Sequence, residues 1–194
     1  IDEAYAAGLI GENILGSGFS CDILIYRGAG SYVCGEASAL ITSIEGKRGY
    51  PRNRPPRLTV RGLYQKPTVI NNVETLSNIA WIVTHGSAAF KAIGSPKASG
   101  TRLISLSGHV VNPGVFEIEY GYPWKRLIYE DAGGMMHGAK LKCVIPGGIS
   151  TKVLTREEVE RLNLDPAEVE PAGSSMGSGG MVAIAEGTCM VRLL

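Results

Sequence analysis

Hydrophobic positions recur along the chain in two rhythms, and the rhythm changes near the middle. Ile1, Tyr5, Leu9 and Ile10 stand at roughly helical spacing and predict a helix over residues 1–14. After the loop Leu15-Gly16-Ser17-Gly18, Cys21 to Arg27 carries a β-branched and aromatic run (Ile23, Leu24, Ile25, Tyr26) that predicts a buried strand. Gly28, Gly30 and Gly35 follow, where a backbone can bend tightly and approach a ligand. Ala37, Leu40, Ile41 and Ile44 then repeat at i, i+3, i+4, i+7, the stripe of a helix facing a sheet, and Gly46 falls where a C′ glycine ends it. Pro67 to Ile70 reads as a short strand or extended segment. Asn71 as N-cap with Glu74 at N3 predicts a capping box. The helix it opens runs to about Thr84 with Val73, Leu76, Ile79, Ala80 and Val83 inward. Gly94 to Gly100, rich in Gly, Ser and Pro, predicts a linker and a domain boundary.

Beyond that linker the pattern alternates with period two. Arg102 to Ser107 and Val115 to Tyr120 predict two strands joined through Asn112-Pro113-Gly114. Pro123 fits the first position of a helix whose inner face is Trp124, Leu127, Ile128 and Ala132, and Gly133 ends it. Lys140 to Ile145 is a third strand. Thr155 and Glu158 form a capping box for a charged helix over 156–163. Ser174 to Gly180 reads as a flexible turn, Met181 to Ala185 as the last strand, and Thr188 onward as an opening helix. Strand, strand, helix, strand is β-grasp order. The expected fold is thus a partial α/β layer over 1–92, followed by an α+β β-grasp domain over 93–186 and the start of a helical segment over 187–194.

Composition narrows the function classes. The 194 residues carry a net charge of +1, which gives no global field to recruit nucleic acid or an acidic membrane. No apolar run reaches the roughly 20 residues of a membrane span. Cys21, Cys34, Cys143 and Cys189 are far apart and form no C-x-x-C, so no zinc or iron–sulfur site is readable, and reduced thiols in a cytoplasmic-type compartment are expected. No nucleophile elbow with a partnered histidine appears, and His109 and His137 read as loop residues. Ile1 at the start and an unfinished helix at the end suggest an internal fragment.

Two stretches carry candidate chemistry. The glycine turn has the spacing Gly28-x-Gly30-x-x-x-x-Gly35, which is not the dinucleotide fingerprint G-x-G-x-x-G. It fits a phosphate cradle at a helix N-terminus and, equally, a plain strand-to-helix turn. Lys47, Arg48, Arg52, Arg54 and Arg57 form a basic loop broken by Pro51, Pro55 and Pro56. It is either a solvated surface loop or a guanidinium wall for a phosphate-rich cofactor.

The literal residues tie these stretches together. GAGSYVCGEASALITSIEGKRGYPRNRPPR and KPTVINNVETL closely resemble the NADH-binding flavoprotein subunit of respiratory complex I. They are similar also to the diaphorase subunits of NAD(P)-linked hydrogenases and formate dehydrogenases. The resemblance continues through SGHVVNPGVFEIEYG, KLKCVIPGG and MGSGGMVAIAEGTCMV, in family order. It implies an FMN- and NADH-binding α/β layer, a soluble-ligand-binding β-grasp domain, and hydride transfer from NADH to FMN with electrons passed to iron–sulfur subunits of a larger redox complex. A 4Fe-4S cluster is implied only beyond this chain. The complex is implied to be a cytoplasmic peripheral arm or a soluble assembly, without direct membrane insertion of this chain. Carried over by position, Gly35, Glu36, Asn71 and Asn72 help hold FMN, and Gly28, Gly30 and Ile70 are counted with the cofactor-binding residues. Tyr32, Glu36, Ala37, Arg54 and Arg57 belong to the nucleotide side. Three positions depart from the respiratory pattern: Ala37 replaces the second glutamate of Cys-Gly-Glu-Glu, and Arg54 and Arg57 replace the lysine and aromatic of Lys-Pro-Pro-Phe. They leave the choice between NADH and NADPH open. The competing class is a non-catalytic β-grasp docking module.

Overall fold

The computed structural model describes residues 1–28 and 30–193. The chain divides into two compact units, Ile1–Asn71 and Asn72–Leu194. The division falls ahead of the helix Val73–His85, well before the expected boundary at Gly94 to Gly100. The second unit holds that helix through its first turn, where the Leu103 N–H donates to Glu74 Oε1 (3.1 Å). The Gly94 to Gly100 stretch is an ordered turn. Gly100 N–H donates to Ile93 O (2.8 Å), Ser95 N–H to Ala98 O (2.9 Å), and Phe90 packs on Gly100.

The second unit is built on a five-stranded sheet. Strands β1 (Thr101–Gly108) and β2 (Gly114–Glu119) form the expected antiparallel pair, with Ile104 opposite Phe116. A short β3 (Tyr122–Pro123) pairs apart with β6 (Asn163–Leu164). Strand β4 (Leu141–Ile145) pairs with β5 (Leu154–Thr155), and β7 (Gly180–Ala185) lies between β1 and β4, parallel to β1. The sheet order is β2-β1-β7-β4-β5. Two hairpins flanking a last, central strand is the β-grasp arrangement. Period-two alternation places Ile104 and Leu106 of β1 and Met181 and Ala183 of β7 on the core side. Trp124, Leu127, Ile128 and Ala132 meet them, all fully buried. Their element is helical only over Trp124–Arg126 and continues as a wider π turn, Leu127–Asp131, before Gly133 at φ +72° ends it. Pro123 stands at its N-cap, one place earlier than expected. The Thr155–Glu158 capping box forms as expected, but the helix it opens, Arg156–Arg161, stops short of the expected 163 because Leu162 is extended and Asn163 enters β6.

The first unit has little regular structure, and several expectations fail there. A strand requires a neighbour for its N–H and C=O groups. Of the Cys21 to Arg27 run only Cys21 is paired, in an isolated bridge with Gly11, and Leu24 is 91% exposed. The expected helix over 1–14 is confined to Asp2–Ala6, because Gly8 (φ +67°) and Gly11 (φ +102°) turn the backbone left-handed. Pro67 to Ile70 is irregular. The helix Ala37–Ile44 forms and buries Ser38, Ala39 and Ile41, while Leu40 faces out. Its end is a Schellman motif: Gly46 N–H donates to Ser43 O (3.0 Å) and Lys47 N–H to Thr42 O (3.1 Å), with Gly46 at φ +78°.

The helix Val73–His85 forms too, but its predicted inner stripe faces outward and none of its residues is fully buried. Val73 and Val83 are each 77% exposed. The inward side carries Glu74, Asn78 and Trp81 instead. The last helical turn is Met190–Leu193, and Leu194 lies outside the described residues. No helix among the described residues is long and apolar enough to cross a membrane.

Candidate functional site

Tyr32–Gly35 forms a single 3-10 turn, and the chain then enters the helix Ala37–Ile44 through Glu36. None of Gly28, Gly30 and Gly35 adopts a left-handed φ, so tight turning is not their role. A Cβ on Gly30 would overlap Cys34 Sγ, whereas Gly28 and Gly35 face open space. Gly28 and Gly35 thus leave room beside the backbone where another residue would project a side chain. Tyr32 is 91% exposed.

The helix N-terminus does not wait for a phosphate. Glu36 is its N-cap: Oε2 accepts the N–H groups of Ser38 (2.9 Å) and Ala39 (2.8 Å) and the Ser38 hydroxyl. A glutamate reaching back to cap its own helix lies outside the usual Ser, Thr, Asp and Asn set, so no ordinary sequence signal marks it. The Ser38 hydroxyl first, then the Ala39 amide, hold the Glu36 carboxyl below the usual carboxylate range, and Arg54 adds attraction. Glu36 Oε1 lies 3.9 Å from Arg54 Nη2, on exposed side chains. An anion and a cation therefore stand face to face at the edge of the glycine turn.

The five cations of the basic loop have separate fates. Arg52 is the structural one: its Nη2 meets Glu45 Oε2 at 2.8 Å, and Glu45 Oε1 accepts the Tyr64 N–H (2.8 Å). Glu45 is held below the usual carboxylate range, chiefly by Arg52. Lys47 and Arg48 join Tyr26, Arg27, Gly30 and Ser31 around an open groove of about 630 Å³. That volume lies within the range of small-ligand sites. Arg48 also stacks over the Tyr50 ring at 5.0 Å. Arg54 faces Glu36, and Arg57 is exposed. Arg27 was not among the expected site residues, and Arg52 was expected only as one of the basic loop, because nothing in the local pattern separates a clamping arginine from a solvated one.

The asparagine pair also departs from expectation. Asn72, not Asn71, is the N-cap of Val73–His85, its Oδ1 accepting the Glu74 N–H (2.9 Å). Glu74 therefore sits at N2 and binds the Leu103 amide, so no capping box forms. Asn71 and Ile70 precede the helix, Asn71 exposed and Ile70 half-buried. The two asparagines lie on either side of the division between the compact units. Asn72→Ala is expected to destabilise the helix by about 1 kcal/mol and Asn71→Ala to leave it unchanged. Chemical-denaturation midpoints of the two variants check this.

Among the described residues, no group of three or more His, Cys, Asp or Glu side chains could hold a metal ion. All four cysteines are free. His109 Nδ1 accepts the Ala185 N–H (3.2 Å), a contact within the fold.

Residues 1–81 match the family described as the Nuo51 FMN-binding domain, and residues 102–182 match the SLBB domain. The second F-type subunit of NADH-quinone oxidoreductase in Rhizobium meliloti (strain 1021) is 48% identical over 193 residues, covering 100% of this chain and 46% of the relative. The F-type subunit of NADH-quinone oxidoreductase in Mycobacterium bovis is 47% identical over 192 residues, covering 99% of this chain and 43% of the relative. The chain thus spans less than half the length of these relatives. Among solved structures, an NAD+-reducing NiFe hydrogenase in its air-oxidized state superposes with a TM-score of 0.73 at 36% identity, over 87% of this chain and 28% of the hydrogenase chain. Along its whole length and in the same domain order, this chain is thus similar to an FMN-binding-domain segment of the Nuo51 type followed by an SLBB domain.

Proposed function

We propose that the intact protein oxidises NADH with FMN and passes the electrons to iron–sulfur subunits of a larger redox complex. The observation that carries this reading is the glycine turn with its fixed anion–cation pair. Glu36 is held ionised by the helix it caps and stands 3.9 Å from Arg54. The fit to a flat, phosphorylated cofactor rests on chain geometry. Gly28 and Gly35 leave side-chain space open, and three cations, Arg27, Lys47 and Arg48, line a groove of about 630 Å³ with Gly30. FMN, when bound, supplies a planar hydride acceptor that releases electrons singly.

The chain supplies position and charge. Gly28 and Gly35 provide close backbone approach on the flavin side, and Gly30, packed against Cys34, lies in the groove wall. Ile70, Asn71 and Asn72 stand at the start of Val73–His85, where the positive end of the helix and the amide side chains favour an anionic group. Tyr32, almost fully exposed, offers a ring for the nicotinamide. Glu36 orients that end of the nucleotide, and Arg54 and Arg57 meet its phosphates. Ala37 lies where a ribose-facing residue would stand.

The test is spectroscopic. The purified intact protein is expected to show a flavin spectrum that bleaches anaerobically with NADH. Absence of flavin would leave the docking-module reading. A second reading, the diaphorase of an NAD+-reducing hydrogenase, is favoured by the structural match to such an enzyme. Co-purifying subunits of a hydrogenase or of a quinone oxidoreductase separate the two.

A further inference from the structure

We infer that Arg52 is a positioning residue for the pyridine nucleotide, acting through the loop that carries Arg54; the inference rests on the function proposed above. Its guanidinium joins three segments that the sequence keeps apart. Nε donates to Thr42 Oγ1 on the helix Ala37–Ile44 (3.0 Å), Nη2 meets Glu45 Oε2 at the helix end (2.8 Å), and Nη1 donates to Gly62 O (3.2 Å). Glu45 extends the clamp to the Tyr64 amide. Only 7% of the Glu45 side chain and 25% of the Arg52 side chain remain exposed, so solvent screens this pair far less than the Glu36–Arg54 pair.

The main chain of Arg52 closes the circuit. Its N–H donates to Ser38 Oγ (2.8 Å), and the same hydroxyl donates to Glu36 Oε2. Ser38 is 1% exposed. The residue that fixes the loop is thus one hydroxyl away from the carboxylate that the loop must face. Arg54 follows two residues later on a segment stiffened by Pro55 and Pro56. The Glu36–Arg54 separation is therefore set by the Arg52 clamp and not by any direct contact strong enough to fix it. The clamp needs the planar fork: a lysine keeps the charge but cannot reach acceptors in three directions.

The experiment uses Arg52→Lys in the intact holoprotein with two readouts. Hydrogen exchange at the amides of residue 52 and Tyr64 reports the clamp. NADH kinetics and flavin content report its consequence. The expected result is faster exchange at both amides and a KM for NADH raised about ten- to a hundredfold, with kcat and FMN content retained, because binding and not chemistry is disturbed. Glu45→Gln, which weakens the same bond from its other side, is expected to raise KM in the same direction by less, and serves if Arg52→Lys does not fold. Faster exchange with unchanged KM overturns the inference, as does loss of FMN in step with activity, which marks a general structural role. Unchanged exchange in both variants overturns it too. A wild type that does not oxidise NADH overturns the proposed function itself, and that failure shows before any variant is made.

Discussion

Trp124→Ala is expected to lower the stability of the second unit by about 3–5 kcal/mol, the cost of truncating a fully buried aromatic. Trp124 is 0% exposed and sits where the short helix meets the sheet, within one cluster that includes Ile104, Leu127, Leu164 and Met181. Removing the indole opens a cavity beside residues of several strands at once, within a fully packed cluster. The indole Nε1 is buried without a hydrogen-bond partner. Trp124→Phe therefore loses packing but no polar contact, and is expected to cost clearly less than the alanine variant. Urea unfolding followed by far-ultraviolet circular dichroism measures both. Equal midpoints for wild type and Trp124→Ala would show that the cluster is not the stabilising core of this unit.

Ala37→Glu is expected to reduce kcat/KM for NADPH about ten- to a hundredfold relative to NADH. Ala37 opens the helix directly after Glu36, and Arg54 lies across from that carboxylate. In the Cys-Gly-Glu-Glu pattern that this stretch resembles, this place is a second glutamate. In this chain the charge is gone, and Arg54 and Arg57 add two guanidinium groups nearby in sequence. A 2′-phosphate is thus expected to be repelled less and attracted more than in the respiratory pattern. The substitution suits the helix, since an acidic side chain in the first turn opposes the positive end of the dipole. A change in nucleotide preference is therefore separable from a change in folding. Steady-state kinetics with both nucleotides, on the intact wild type and Ala37→Glu, give the answer. A wild type that rejects NADPH as firmly as the variant removes Ala37 from the specificity of the site.

The second unit was legible in the sequence because its elements are specified locally and then paired within the chain. Ile104 and Leu106 alternate with exposed neighbours, Thr155 and Glu158 cap their helix reciprocally, and Trp124, Leu127 and Ile128 share one face. The first unit was less legible because its hydrophobic pattern describes surfaces that this unit does not bury. Ile23, Leu24 and Ile25 have strand propensity without a ladder partner, and in the second unit the exception is the helix Val73–His85, whose apolar stripe looks outward. Propensity and periodicity state what an element offers, and packing decides what is used. At the candidate site, the residue types were readable and their roles were not. Glu36 serves as a cap as well as a candidate ligand, Asn72 takes the cap expected of Asn71, and Arg52 stands out from its basic neighbours only through Thr42, Glu45 and Gly62. These are contacts between segments, invisible to any window moved along the sequence.

The placement of β7 governs the order in which the sheet can be finished. Ser105 of β1 lies opposite Gly180 of β7, and β4 pairs with the same strand from its other side. Each hairpin can form early from near neighbours, but the two cannot join until a strand some 75 residues downstream of β1 arrives, as the Ser105–Gly180 pairing shows. Closing so long a loop is entropically costly and slows folding relative to local pairing. During synthesis, Ile104, Leu106 and Val144 therefore wait with their central partner missing, and the edges of β1 and β4 that later take up β7 stay open to other chains. The interval between translation of residue 108 and residue 180 is therefore expected to be the period in which this domain is most exposed to pairing with other chains.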